Sequence, residues 1–220
     1  MPEDDEVLSP EEMLALASNQ QRSMEGQVAS FVPALVTMWG VVWLVGFGAL
    51  WLIDAFRPAF ALPVPVAVTV FVVLLAVAIV VSAFLGIRSG RGIRGSAASA
   101  FSGAVYGSTW TIGSLAIVLF AQGLFANGMD PSLANIFYPV AFVLFAGIMY
   151  IVGSAIWQAV PMLVLGSWTV IVAVVAPFFG YPTHYLVLAL GGGIGFLILG
   201  AASFAHLSRL RRSTKGPRRD

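Results

Sequence analysis

Gly180-Tyr-Pro-Thr-His184-Tyr-Leu-Val-Leu-Ala-Leu-Gly191-Gly-Gly-Ile-Gly195-Phe-Leu-Ile-Leu-Gly200 is the stretch that decides the fold. In water, each glycine costs a helix about 1 kcal/mol relative to alanine, so this glycine-rich segment would not stay helical. In lipid the backbone finds no water to bond, and the helix persists. Gly191, Gly195 and Gly200 then form a small face for a neighbouring helix. We therefore predict a helix at the centre of a membrane bundle.

The composition of the rest of the chain agrees with this assignment. Of the 220 residues, 59% are apolar and 10% are charged, and the mean hydropathy is +0.94. A soluble domain of this size does not need so much apolar surface, so the chain is predicted to be a polytopic membrane protein. There is no cysteine, which excludes disulfides and thiolate metal sites.

Apolar runs long enough to cross the roughly 30 Å hydrocarbon core occur six times. The boundary between the fourth and fifth runs depends on the short Trp157-Gln158-Ala159 segment, because one helix of about 40 residues is too long for a single bilayer. An acidic leader, residues 1–30, precedes them with a short helix capped by Ser9, and a basic tail, residues 207–220, follows. The sequence predicts an all-α bundle of six transmembrane helices at about 34–53, 66–87, 99–124, 137–157, 160–177 and 184–206.

The arginines predict the orientation of the chain. With the N-terminus inside, the inner segments hold ten Lys and Arg residues, whereas the outer loops hold only Arg57. This bias predicts cytoplasmic termini in a bacterial plasma membrane. Arg88, Arg91 and Arg94 make the inner loop between the second and third spans basic, which topology explains and which also suits anionic lipid headgroups.

The third span also carries residues typical of close helix packing. Gly103 and Gly107 stand four residues apart, the spacing of close-packed membrane helices. We therefore predict that spans three, five and six form the close-packed centre of the bundle.

Several chemistries have no residues to support them. The spans lack central charges, and the only lysine, Lys215, is in the tail, so a proton-carrying carboxylate and a Schiff-base lysine are absent. His184 and His206 are 22 residues apart, or roughly 33 Å along a helix, so they do not share a metal. No hydrolase, phosphate-loop or metalloprotease motif is present. We predict no enzyme activity, no cofactor and no nucleic-acid partner.

Uncharged polar and aromatic side chains remain as candidates for a binding cavity. They either line a cavity for an apolar or cationic solute, or bond between helices and mark the membrane interfaces. His184, at the outer mouth of the sixth span, is either a pH-sensitive group or an interfacial anchor. The candidate cavity residues are Ser108, Trp110, Thr111, Ser114, Tyr150, Ser154, Trp168 and Thr169.

Three segments resemble a group of uncharacterised bacterial six-span integral membrane proteins that are loosely labelled transporters. They are Trp39-Gly-Val-Val-Trp43-Leu-Val-Gly46-Phe-Gly48, Gly86-Ile-Arg88-Ser-Gly-Arg91-Gly and Gly180-Tyr-Pro-Thr-His184-Tyr. The resemblance implies the six-span fold and assigns no site residue. Two functions stay open: a small transporter or permease, acting alone or as a homodimer, and a non-transporting membrane subunit or sensor that acts through a protein partner.

Overall fold

The computed structural model describes residues 9–90 and 97–213, which are all-helical apart from turns and one isolated bridge. The predictions for Arg91, Arg94 and the outermost parts of the leader and tail lie outside these ranges. The helices are α1 (Pro10–Trp51), α2 (Val64–Gly90), α3 (Ala97–Ala126), α4 (Ala134–Trp157), α5 (Val160–Val175), α6 (Thr183–Val187) and α7 (Gly195–Ser213), with a π-helical segment (Leu188–Ile194) between the last two.

Six membrane-length spans are present among the described residues, as predicted. All six are long and apolar enough to cross a bilayer. Between the fourth and fifth spans, α4 ends at Trp157 and Gln158 turns the chain with a φ of 51°. The spans are Val32–Trp51, Val64–Arg88, Ala97–Ala126, Pro131–Trp157, Val160–Phe179 and Thr183–Arg209.

The leader helix and the first span form one helix of 42 residues. A capping box begins it: the Ser9 hydroxyl accepts from the Glu12 amide, and the Glu12 carboxylate accepts from the Ser9 amide at 2.9 Å. The helix continues through Pro33, whose carbonyl accepts the Thr37 hydroxyl at 2.8 Å. The short leader helix expected from the sequence therefore extends without a break into the membrane.

The helices pack in a row, in the order α2, α1, the sixth span, α5, α4 and α3. Six helices in a straight row would separate the outer two by roughly 40–50 Å at usual spacings. Six residues connect α2 to α3, and they reach about 27 Å at most. The row is therefore curved, with the least buried helices, α2 and α3, at its two ends.

The centre of the row is held together by glycines in backbone contact. A Cβ on Gly166 of α5 would lie 2.7 Å from the Gly147 carbonyl oxygen of α4, and a Cβ on Gly193 would lie 2.9 Å from the Leu44 amide of α1. The predicted packing glycines of the sixth span have close neighbours too. Gly191 faces Val172, Gly195 faces Trp168 and Gly200 faces Thr37.

The predicted central position of span three is wrong. Only 6% of the most apolar window of α3 is buried, and α3 lies at one end of the row. A Cβ on Gly103 or Gly107 would meet no atom within 4 Å. Small residues make close approach possible, but they do not determine which surface approaches.

Candidate functional site

The candidate cavity residues fall into separate groups, of which the first is aromatic. Trp110 of α3 lies edge-on to Phe145 and Tyr150 of α4, with ring centroids 5.4 and 6.3 Å apart. Tyr150 in turn contacts Phe196 of α7 at 5.7 Å. The structure therefore brings Trp110 and Tyr150 together, as part of the packing between α3, α4 and the sixth span.

Two hydroxyl groups of the candidate set, those of Ser108 and Ser154, bond within their own helices. Ser108 donates to the Val105 carbonyl at 2.9 Å, and Ser154 donates to the Ile151 carbonyl at 2.6 Å. Such bonds satisfy a hydroxyl in lipid and leave it little to offer a solute. Thr111 is exposed on α3, and Ser114 is half-buried there.

Of the two candidates on α5, Trp168 contacts the π-helical segment and Thr169 is buried. The indole nitrogen of Trp168 donates to the Gly191 carbonyl at 2.8 Å, although the ring itself is largely exposed. Thr169 is fully buried, and its hydroxyl has no hydrogen-bond partner among the described residues. The eight candidates therefore do not converge on one polar cavity within the described chain.

One exposed strip of α3 differs from the other lipid-facing surfaces. We call it the small-residue face, and its members recur every three or four residues, as one side of a helix requires. All of them are exposed. The small-residue face consists of Ala100, Gly103, Ala104, Gly107 and Thr111.

A groove of about 340 Å³ lies between α3 and α4, which we call the α3–α4 groove. Its two hydroxyls that have bonding partners donate inside the protein: Tyr106 to the Met149 carbonyl at 3.2 Å and Thr109 to the Val105 carbonyl at 2.8 Å. The groove is therefore predominantly apolar. Its lining residues are Phe101, Ser102, Val105, Tyr106, Thr109, Phe145, Ile148, Met149, Val152 and Ile156.

His184 is buried at the start of the sixth span. Its Nε2 lies 2.8 Å from the Asn135 carbonyl oxygen, and its Nδ1 lies 3.3 Å from the Gly180 carbonyl oxygen. A neutral imidazole has one N–H and satisfies only one of these acceptors, whereas an imidazolium satisfies both. His184 therefore links the starts of the fourth and sixth spans.

A polar cluster joins two loops at the same end of the bundle. Asp54 accepts the Arg57 guanidinium at 2.6 Å and also accepts the Tyr181 hydroxyl. Burial, together with this hydrogen bond to Asp54, raises the pKa of Tyr181 to about 12. The cluster ties the loop after α1 to the loop before α6.

Sequence reasoning missed several residues that organise this region. Gly147 and Gly166 bring the backbones of α4 and α5 into close contact, and the Asn135 carbonyl accepts from His184. The glycines are visible in the sequence, but nothing in their spacing pairs one span with another. A backbone carbonyl partner leaves no sequence signal.

Comparison of this chain with models of known families, with curated proteins and with solved structures gives no match. The function is therefore argued from the geometry of the described residues.

Proposed function

We propose that this chain is a non-transporting membrane subunit that binds a transmembrane helix of a partner protein through the small-residue face of α3. The observation that carries this proposal is the exposure of Gly103 and Gly107, which leave a strip of accessible backbone on the surface. Association of helices in lipid depends on such close approach, because lipid and side chains are equally apolar.

The other exposed end helix supports the proposal by contrast. The surface of α2 carries large apolar side chains such as Val73, Val80 and Phe84, which suit contact with lipid. The small-residue face carries none. Both helices are mostly exposed, but among the exposed side chains of α3, which include Phe101 and Ile112, the small-residue face forms a strip that suits close approach of another helix.

The proposed partner helix comes from outside this sequence. The six apolar runs of membrane length are the six spans already described, and the remainder of the sequence has no further run of about 20 apolar residues. The acidic leader supplies a second contact, since it is the charged region that α1 carries beyond the membrane.

Co-purification tests this proposal directly. The tagged full chain is expressed in its native host, and the proteins that co-purify in mild detergent are identified and quantified. We expect Gly107→Leu to reduce the partner's yield by more than about tenfold, because a bulky side chain separates the backbones.

Gly123→Leu is the matched control on the same helix. Gly123 also has open space at its Cβ, but sixteen residues place it about 160° around the helix from Gly107. Equal loss of the partner in both variants, or no loss in Gly107→Leu, would rule out the small-residue face as the interface.

The second candidate, a small transporter or permease, is favoured by one observation. The π-helical segment interrupts the sixth span and packs against α5, and the buried Thr169 hydroxyl of α5 has no hydrogen-bond partner among the described residues. Irregular helices at this depth hold substrates or ions in transporters. Solute flux into liposomes tests it: flux equal to that of empty liposomes would remove this candidate, and flux that Trp110→Ala abolishes would support it.

For location, we propose the bacterial plasma membrane with both termini cytoplasmic. The support is the distribution of positive charge, since ten of the eleven Lys and Arg residues fall on one side of the six spans.

A further inference from the structure

Two apolar loops lie side by side at one end of the bundle. The α1–α2 loop, residues 52–63, carries Phe56 and Phe60, whose side chains are half exposed. The α5–α6 loop, residues 176–182, carries Phe178, which is 86% exposed, and Phe179. We call these four exposed side chains, Phe56, Phe60, Phe178 and Phe179, the aromatic rim.

The α1–α2 loop folds back on itself and satisfies part of its own backbone. The Leu62 amide donates to the Leu52 carbonyl at 3.0 Å, which closes the loop at its base. Within the loop, the Phe60 amide donates to the Phe56 carbonyl at 3.0 Å. Backbone groups that lose contact with water need partners inside the protein. These internal bonds therefore suit a loop that rests against lipid.

The two loops bring no net charge to this end of the bundle. Asp54 and Arg57 are the only charged residues of the α1–α2 loop, and the α5–α6 loop has none. The Arg57 guanidinium lies 2.6 Å from the Asp54 carboxylate. A paired charge is less costly to bring near lipid than a single charge. The ion pair therefore allows the apolar residues around it to approach the membrane.

A hydrogen bond between the loops places them at a similar depth. Phe179 is the last residue of the fifth span, Val160–Phe179, so it lies where that span meets the headgroups. Two residues later, the Tyr181 hydroxyl donates to the Asp54 carboxylate. Phe56 follows Asp54 by two residues, or about 7 Å at most. The Phe56 end of the α1–α2 loop therefore lies near the same level.

We propose that the α1–α2 loop rests in the headgroup layer of the membrane, with the aromatic rim inserted among the lipids and the Tyr181–Asp54 hydrogen bond holding the loop at that depth. Apolar rings gain free energy by leaving water, and phenylalanine inserts at this boundary in proteins that bind the membrane surface. The rim continues the lipid-facing surface of the fifth span. It contains no residue of α3, so this contact does not depend on the proposed partner helix.

Fluorescence quenching in lipid nanodiscs tests this proposal on the full chain. The sequence has no native cysteine, so a fluorophore can be attached at Phe60→Cys, at Phe178→Cys or at the control Met13→Cys, which is exposed in the leader helix. One quencher is a phospholipid with a spin label near its headgroup, and the other is iodide in the water. We expect lipid quenching at Phe60 and Phe178 at least about threefold stronger than at Met13, with weaker iodide quenching.

Tyr181→Phe is the second arm of the experiment, because it removes the hydroxyl that donates to Asp54 and keeps the ring. We expect lipid quenching at Phe60 to fall by about half, and quenching at Phe178, inside the fifth span, to stay the same. Tyr138→Phe is the matched control, since it removes a hydroxyl that accepts from Gln122, and should change neither signal.

Three results would overturn the proposal. The first is iodide quenching at Phe60 as strong as at Met13, which would place the loop in water. The second is protection of Phe60 from both quenchers, which would show that protein covers the rim. The third is unchanged lipid quenching at Phe60 in Tyr181→Phe, which would show that the hydrogen bond does not hold the loop.

Discussion

Glycines in this chain have two distinct environments. Gly166 lies against the backbone of α4, with the Gly147 carbonyl oxygen and the Ile151 amide each less than 3 Å from where a Cβ would be. Gly107 faces open space. Backbone atoms do not move aside as a flexible side chain does, so even one methyl group has opposite consequences at the two positions.

The first prediction uses that difference. We expect Gly166→Ala to lower the free energy of unfolding in detergent by about 1–3 kcal/mol through overpacking. Gly107→Ala should be neutral or stabilising, because alanine is the better helix former and meets no neighbour. Chemical or thermal unfolding followed by circular dichroism measures both, and equal stability of the two variants would contradict the described contact between α4 and α5.

Removing the buried Thr169 hydroxyl should not lower the free energy of unfolding, in contrast to Gly166→Ala. An unbonded hydroxyl in an apolar interior costs about 1–3 kcal/mol, so Thr169→Val should leave the free energy of unfolding unchanged or raise it. Thr37→Val is the control, since the Thr37 hydroxyl donates to the Pro33 carbonyl and its loss should cost about 1 kcal/mol. A destabilised Thr169→Val variant would show that the hydroxyl binds a group that the described residues do not include.

At the scale of single helices, the sequence predicts which segments are long and apolar enough to cross lipid. It does not predict the features of a helix that depend on contacts with neighbouring helices. Hydropathy locates six spans because each must cross the same thickness of hydrocarbon. The π-helical segment was not predictable, because its Gly191 carbonyl is satisfied by Trp168 from another helix. The sequence also does not reveal whether a hydroxyl donates within its own helix, as Ser154 does, or faces a cavity.

The start of α1 provides a prediction for its first turn. The hydrogen bonds from Ser9 lower the pKa of the Glu12 carboxyl in the folded helix. A lowered folded pKa stabilises the helix fully above the ordinary value of 4.5, and this contribution is lost as the pH falls through the folded pKa. We expect Ser9→Ala to return the Glu12 pKa toward 4.5 and to increase amide exchange in the first turn, measured by NMR; an unchanged titration would contradict the capping box.

His184 carries a prediction about the contact between the fourth and sixth spans. Replacing it with leucine leaves the Asn135 carbonyl without its donor at 2.8 Å in a part-buried contact, and the loss of one hydrogen bond costs about 0.5–1.5 kcal/mol. We therefore expect His184→Leu to lower the unfolding free energy by that amount. His206→Leu, an exposed histidine on α7, is the control, and equal stability of the two variants would contradict the buried contact.

For the whole molecule, the orientation follows from charge and is directly testable. The absence of native cysteine allows single cysteines to be labelled without background. In intact cells we expect a membrane-impermeant maleimide to label Ala59→Cys, in the loop after α1, and not Met13→Cys, in the leader helix; both positions are exposed. Labelling of Met13→Cys from outside would reverse the proposed orientation.

The continuity of α1 has a mechanical consequence. About 33 Å of helix, from Pro10 to the start of the apolar span, precedes the part of α1 that packs against both α2 and the sixth span. In a straight helix of this length, a displacement of about 6 Å at the start corresponds to a tilt of about 10° in the span. A partner bound to the acidic start of α1, as proposed above, would therefore change the angle of a helix that contacts both of these neighbours.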